Sequence, residues 1–200
     1  MIKLKRAVII GKTVFLRPPM KSDDSEFIAL NRASLSLHRG LVSPPTRPEK
    51  FTTFLKRCRR VDSVCLLICR LQDGAIIGSV TLSQIFLGGF RNAYLGYYVG
   101  ASYARQGNMT EALQLMLRYA FEKLKLHRLE ANIQPANVAS IALVKRAGFS
   151  REGFSRRYLK VCGRWRDHER WAITVEDWKS KLGSSGRRAI RHALAPGLVT

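Results

Sequence analysis

Acidic residues are scarce in this chain of 200 residues. Its 14 Asp and Glu face 35 Lys and Arg, which gives a formal net charge of +21. A positive field of this size attracts polyanions such as nucleic acids and phosphorylated cofactors, although it does not by itself name a function. The alternative interpretation is a basic surface that only keeps the protein dissolved.

Long apolar runs and paired cysteines are also missing. No stretch approaches the ~20 apolar residues of a membrane helix, and residues 7–10 are too short for the core of a signal peptide. The four cysteines, Cys58, Cys65, Cys69 and Cys162, form no CxxC pair. They predict reduced thiols in a cytoplasmic protein, with no membrane partner. No HxxEH motif or carboxylate cluster suggests a metal, so none is expected.

The apolar residues, 46% of the chain, are enough for a sizeable core. Their periodicity predicts a mixed α/β fold in a single domain over residues 1–182, followed by a flexible basic tail over 183–200. A loop is expected over 38–48, where Gly40 and three prolines fall. The predicted strands cover 12–17, 63–71, 75–86, 93–99, 129–133, 150–160 and 164–174, and the predicted helices 26–33, 49–60, 110–123, 137–147 and 177–182.

The stretch from residue 93 to residue 149 is the most informative. A predicted strand ends at Val99, and the sequence A-R-Q-G-N-M-T then leads into a helix. The free N–H groups and the positive dipole end of a helix N-terminus suit a pyrophosphate. Gly107 would let the backbone approach the anion closely. A single glycine before a helix is, however, more often an ordinary turn.

Several motifs together are more specific than this loop. They are I-I-G-S-V (76–80), Y-L-G-Y-Y-V-G (94–100), G-N-M-T-E-A-L (107–113), L-H-R-L-E-A-N-I-Q-P-A-N-V-A-S (126–140), R-A-G-F-S-R-E-G (146–153) and G-R-W-R-D-H (163–168). In these motifs the chain resembles the acetyl-CoA-dependent GNAT N-acetyltransferases over roughly residues 12–178. It looks closest to their Rim branch, which acetylates the N-termini of ribosomal proteins. The resemblance implies a central, mostly antiparallel twisted sheet with a splayed parallel strand pair, flanked by helices.

The resemblance also implies roles for particular residues. The strand end would bind the pantetheine arm through its backbone, the loop would hold the pyrophosphate, and Ser140 could protonate the leaving thiolate. Without the resemblance, Asn137 would be interpreted as a helix N-cap and Ser140 as a surface hydroxyl. The implied cofactor-binding residues are Tyr98, Val99, Arg105, Gln106, Gly107, Asn108, Met109, Thr110 and Asn137, and the candidate catalytic residues are Ser140 and Tyr94.

Two departures from the family pattern concern proton transfer. Tyr94 stands where many relatives carry a glutamate, and Val144 stands where many carry a tyrosine acid, so no general base is identified. A free α-amino group, with a pKa of ~7.7–8, needs less help from a base than lysine at ~10.4. His168 is an alternative base, although a structural histidine is the simpler interpretation.

The sequence thus predicts an acetyl-CoA-dependent N-acetyltransferase that acts on a protein N-terminus, most readily that of a ribosomal protein. Basic clusters at 47–60 and 145–170 would favour ribosomes and indirect contact with ribosomal RNA. Two alternatives stay open. A small-amine acetyltransferase would favour an acidic pocket, and this chain is poor in acids. A ribosome-binding or RNA-binding module could keep the same fold without turnover.

Overall fold

The computed structural model describes residues 4–185, which contain eight strands and six α-helices. The predicted tail from residue 186 onward lies outside the described residues. The strands are β1 (Ile9–Ile10), β2 (Val14–Arg17), β3 (Val64–Arg70), β4 (Ile76–Phe86), β5 (Asn92–Val99), β6 (Arg128–Ile133), β7 (Ser150–Val161) and β8 (Arg164–Thr174). The helices are α1 (Asp24–Ala33), α2 (Leu35–His38), α3 (Pro48–Cys58), α4 (Asn108–Arg118), α5 (Val138–Ala147) and α6 (Val175–Ser185).

The strands form one mixed sheet in the order β1-β2-β3-β4-β5-β6-β8-β7. Neighbouring strands run antiparallel except β5 and β6, which are parallel. One core cluster packs α4 and α5 against one face of the sheet, and a second packs α1 and α3 against the other. The prediction of a single α/β domain with one parallel strand pair is confirmed.

The parallel pairing of β5 with β6 is short, and it leaves the sheet open beyond it. β5 and β6 are in register only from Asn92 opposite Arg128 to Tyr94 opposite Glu130. Beyond Tyr94, β5 keeps its pairing with β4 as far as Val99, while β6 follows β8. The sheet therefore opens into a gap between the carboxyl ends of β5 and β6.

Three elements differ from the sequence prediction. The expected loop over 38–48 begins inside α2, whose last residue, His38, is buried. Pro48 does not end that loop; it is the first residue of α3, where its missing N–H leaves no intrahelical bond unmade. The last helix is longer at both ends than the predicted 177–182.

A buried ion pair fixes the start of α1 against the sheet. Both guanidinium Nη atoms of Arg17 bond the Asp23 carboxylate, at 2.8 and 2.7 Å. The side chains are 0% and 2% exposed, and Asp23 also accepts from the N–H of Met20 at 2.7 Å. Because every carboxylate oxygen has a donor, the burial of two charges is compensated locally.

A carboxylate connects α4 to the edge of the sheet that β1 and β2 form. Glu111, in the first turn of α4, accepts from the N–H groups of Lys12 and Thr13 and from the Thr13 hydroxyl. The helix whose N-terminus faces the gap is thereby held to the β1–β2 turn. Within residues 4–185, no helix is long and apolar enough to cross a membrane.

Candidate active site

The main chain of β5 lines one side of the gap. The N–H of Gly100 bonds the carbonyl of Ile77 at 2.8 Å, so alternation turns the main-chain groups of Gly96 and Tyr98 toward β4. Those of Tyr97 and Val99 then point toward the gap. Tyr98 was predicted to contact the cofactor, but its main chain pairs with β4 and its ring packs against Phe27 and His38.

Helices α1 and α2 fix the end of β5. The ring nitrogen Nε2 of His38 lies 3.0 Å from the carbonyl oxygen of Val99 and donates to it, because a carbonyl can only accept. The Ser34 hydroxyl accepts from the N–H of Ala101 at 2.9 Å and donates to the Leu30 carbonyl at 2.7 Å. Sequence analysis assigned neither residue a role, since only the tertiary structure brings them to β5.

The loop before α4 forms a concave row of N–H groups. Arg105 and Gly107 have positive φ angles of 61° and 82°, and such alternation turns successive N–H groups toward one side. The N–H groups of Thr110 and Glu111 bond the Gly107 carbonyl. In the described chain, the N–H groups of residues 105–109 have no acceptor. Together with the helix dipole, these N–H groups suit an anion.

Side chains stiffen this loop and do not fill its concave side. Gln106 donates to the Ser102 carbonyl at 2.8 Å, and Asn108 donates to the Gln106 amide oxygen at 3.4 Å. Met109 packs against the core, and Arg105 is exposed. Of the predicted cofactor residues 105–110, residues 105–109 offer free main-chain donors, and Arg105 is exposed beside them. Thr110 does not, because its N–H already bonds the Gly107 carbonyl in the first turn of α4.

Asn137 and Ser140 lie together across the gap, at the start of α5. The Asn137 side-chain oxygen accepts from the N–H of Ser140 at 3.2 Å and caps the helix. The Ser140 hydroxyl lies 2.6 Å from the hydroxyl of Tyr97 on β5. Burial raises the pKa of Tyr97 to about 12, so this phenol is protonated at neutral pH and bridges the gap.

Tyr94 lies on the other face of β5. Side chains alternate along a strand, so Tyr94 shares the face of Gly96 and Tyr98, whereas Tyr97 faces α5. Burial and a contact with Tyr158 raise the pKa of Tyr94. The two predicted catalytic residues, Ser140 and Tyr94, are thus on opposite faces, and Ser140 is paired with Tyr97, which sequence analysis missed.

A cavity of about 340 Å³ lies on the Tyr94 face. Its walls are the 41–45 loop, α3, the strands β4 and β5, and the β7–β8 turn. The loop and the turn touch, with the Ser43 hydroxyl 3.3 Å from the Cys162 sulfur. The cavity is lined by β4 and β5, whereas the gap opens on the β6 side of β5, so the two lie on different sides of this strand. Tyr97 borders both.

The remaining expectations concern His168 as an alternative base and the absence of a metal site. His168 is buried, and its Nδ1 lies 2.9 Å from the Arg166 carbonyl; burial lowers its pKa. This placement fits a structural histidine. No group of three or more His, Cys, Asp or Glu in this part of the chain could hold a metal.

A gap between diverging strands, with an anion-binding helix N-terminus at its mouth, defines an acetyltransferase type of α/β domain. Residues 13–150 match the acetyltransferase (GNAT) domain family. The chain is also 33% identical over 175 residues to the probable N-acetyltransferase YjcK of Bacillus subtilis, across 84% of this chain and 97% of that protein. The chain therefore belongs to the GNAT acetyltransferase domain family.

Two other similar proteins are named as a ribosomal-protein acetyltransferase and as RimJ. The [ribosomal protein uS5]-alanine N-acetyltransferase of Escherichia coli is 41% identical over 103 residues, about half of each protein (52% and 53%). The structure of Mycobacterium smegmatis RimJ in complex with CoA-disulfide superimposes with a TM-score of 0.77 and 29% identity, covering 90% of this chain and 92% of that one.

Proposed function

We propose that this protein transfers the acetyl group of acetyl-CoA to the N-terminal amine of a protein, and that a ribosomal protein beginning with alanine is its acceptor. The observation that carries the proposal is the row of free N–H groups at 105–109, which opens beside the gap between β5 and β6. The similarity to the uS5-alanine enzyme supports the acceptor class. We place this activity in the cytoplasm and in a catalytic domain over residues 1–182.

The donors around the gap fit coenzyme A. The N–H groups of residues 105–109 would hold the pyrophosphate, and the main chain of Tyr97 and Val99 would pair with the pantetheine amides. Asn137 uses its oxygen as a cap, so its NH₂ group is available to donate to the same arm. Bound acetyl-CoA would supply an activated acyl thioester, close to Ser140.

Ser140 would act as the acid for the leaving thiolate. The Tyr97 hydroxyl, which is protonated at neutral pH, lies 2.6 Å from the Ser140 hydroxyl, and in this proposal it would donate to the serine oxygen. The serine hydrogen is then free to point into the gap. Tyr97 thus positions Ser140 and can return a proton to it after transfer.

The acceptor amine would enter from the cavity on the other side of β5. An α-amino group with a pKa of ~7.7–8 is partly neutral at pH 7, so direct attack does not require a strong base. Catalysis then rests mainly on holding amine and thioester in register. Tyr94 borders the acceptor side, where its phenol would orient the peptide.

Thiol release tests the proposal. The purified chain is incubated with acetyl-CoA and a peptide with a free N-terminal alanine, and the same peptide with a blocked N-terminus serves as the control. Release with the free peptide alone supports N-terminal transfer. Tight binding of acetyl-CoA without thiol release would instead indicate a non-catalytic module, and release only with polyamines would indicate a small-amine enzyme.

The basic surface would bring the enzyme to ribosomes. Lys56 and Arg59 on α3 are exposed, whereas Arg60 is paired with Asp62 at 2.8 Å and contributes less free charge. Phosphate contacts release counterions, so co-sedimentation with ribosomes should weaken steeply with salt. Replacing Lys56 and Arg59 by glutamine should weaken co-sedimentation and leave turnover of a short peptide unchanged. Salt-independent co-sedimentation would contradict docking through this surface.

A further inference from the structure

The charged side chains that line the cavity beside β5 are all positive. Arg57, on α3, and Lys160, near the end of β7, are the charged residues among its walls, and no carboxylate of the described chain lines it. The two cations approach the cavity from different elements, one from each side. A cavity of about 340 Å³ falls within the usual range for small ligands.

Neither cation is neutralised by the protein. In the part of the chain that the structure describes, Arg57 and Lys160 have no ion-pair partner, whereas Arg60, Arg70 and Arg118 each bond a nearby carboxylate. The Arg57 guanidinium lies 5.7 Å from the centre of the Phe54 ring, which restricts its orientation. Because Phe54 also lines the cavity, Arg57 is held at the cavity wall.

Two unpaired cations determine which acceptor fits. They repel a polyamine or an aminoglycoside, since these ligands bring further positive charges. They attract a peptide that carries a carboxylate side chain close to its N-terminus. The same positive field disfavours the protonated form of the bound amine and lowers its pKa. This increases the neutral fraction that can attack the thioester, without a general base on the protein.

We propose that this cavity is a subsite for an acidic side chain of the acceptor peptide, located within the first few residues after the acetylated N-terminus and held by Arg57 and Lys160. The proposal rests on the proposed N-terminal transfer. It adds a selectivity that the acetyl-CoA site does not provide, because the gap and the cavity lie on either side of β5.

Two peptides test the subsite. Both peptides begin with alanine. One carries two glutamates within positions two to four, and the other carries two glutamines at the same positions and is otherwise identical. The unmodified protein should acetylate the glutamate peptide with a kcat/KM about fivefold higher or more, because partly exposed charge pairs each contribute modestly. Arg57→Gln and Lys160→Gln should each reduce this ratio, and the double variant should bring it close to one.

A matched variant separates the subsite from general surface charge. Arg59→Gln removes an exposed cation directly after the same helix but outside the cavity, and it should keep the full ratio. Lys160→Glu changes an exposed side chain near the end of β7 and should shift the preference toward a matching lysine peptide. Equal acetylation of both peptides by the unmodified protein overturns the subsite alone. No transfer to either peptide overturns the proposed function and the subsite with it.

Discussion

The hydroxyl of Tyr97 on β5 meets that of Ser140 on α5 at 2.6 Å, in the region where the two parallel strands have already separated. The contact joins two elements that the sheet itself does not connect at this point. The contact also places a phenol near the gap.

Removing the two hydroxyls, singly and together, tests this pair. Ser140→Ala should lower kcat by up to ~10²–10⁴ as a general acid is lost, with little change in the KM for acetyl-CoA. Tyr97→Phe should lower kcat by up to about tenfold, because one hydrogen bond contributes about 0.5–1.5 kcal/mol. The double variant should match Ser140→Ala, since Tyr97 acts through Ser140. Strictly additive losses in steady-state kinetics would assign Tyr97 an independent role.

The anion site depends on the backbone at Gly107. Gly107→Pro removes an N–H and cannot adopt the φ of 82° found there, so calorimetry should show a large loss of affinity for acetyl-CoA. Gly88→Pro is the matched control: Gly88 has a φ of 84° and open space around it, but lies in the β4–β5 turn. It should bear similar strain and leave acetyl-CoA binding unchanged. Full affinity in a folded Gly107→Pro variant would place the pyrophosphate elsewhere.

The buried Arg17–Asp23 pair should dominate the charge contributions to stability. Asp23→Asn leaves a fully buried guanidinium without its counter-charge, and chemical denaturation should show a loss of about 3–5 kcal/mol. Asp62→Asn breaks the exposed pair with Arg60 and should cost much less, because solvent screens that pair. Similar losses for the two variants would mean that burial does not set the strength of the pair.

His38 should make the fold sensitive to acid. Burial lowers its pKa from the ordinary value of 6.5, against the opposing effect of the Val99 carbonyl, and Nδ1 has no acceptor among the described residues. Between the lowered native pKa and 6.5, the unfolded chain binds more protons than the folded one, so stability falls as the pH drops through that window. Buried His168, with its lowered pKa, adds to the same slope.

Unfolding curves between pH 5 and pH 8 measure this effect. His38→Gln keeps an N–H donor for Val99 but does not titrate, so its stability should decline less steeply on acidification. A slope unaffected by His38→Gln would assign the acid sensitivity to other groups.

The sequence predicted elements that depend on local pattern. The helix expected over 137–147 is found as α5, and Gly148 ends it with a φ of 105°. The strand and loop that lead to Gly107 were likewise recognisable. Tyr97 was missed because the choice between it and Tyr98 depends on which way β5 faces, and a one-residue difference reverses every side chain. His38 and Arg57 were missed because only tertiary packing brings them to β5 and to the cavity.

The short parallel ladder between β5 and β6 has a mechanical consequence. The strands on either side of it form two leaves, which the sheet joins only along the residues from Asn92 to Tyr94 and their partners. A coenzyme bound in the gap would bond both leaves at once and stabilise them relative to each other. Ligand-free protein should therefore open first along this seam, and hydrogen exchange at the ends of β5 and β6 should slow most when the coenzyme binds.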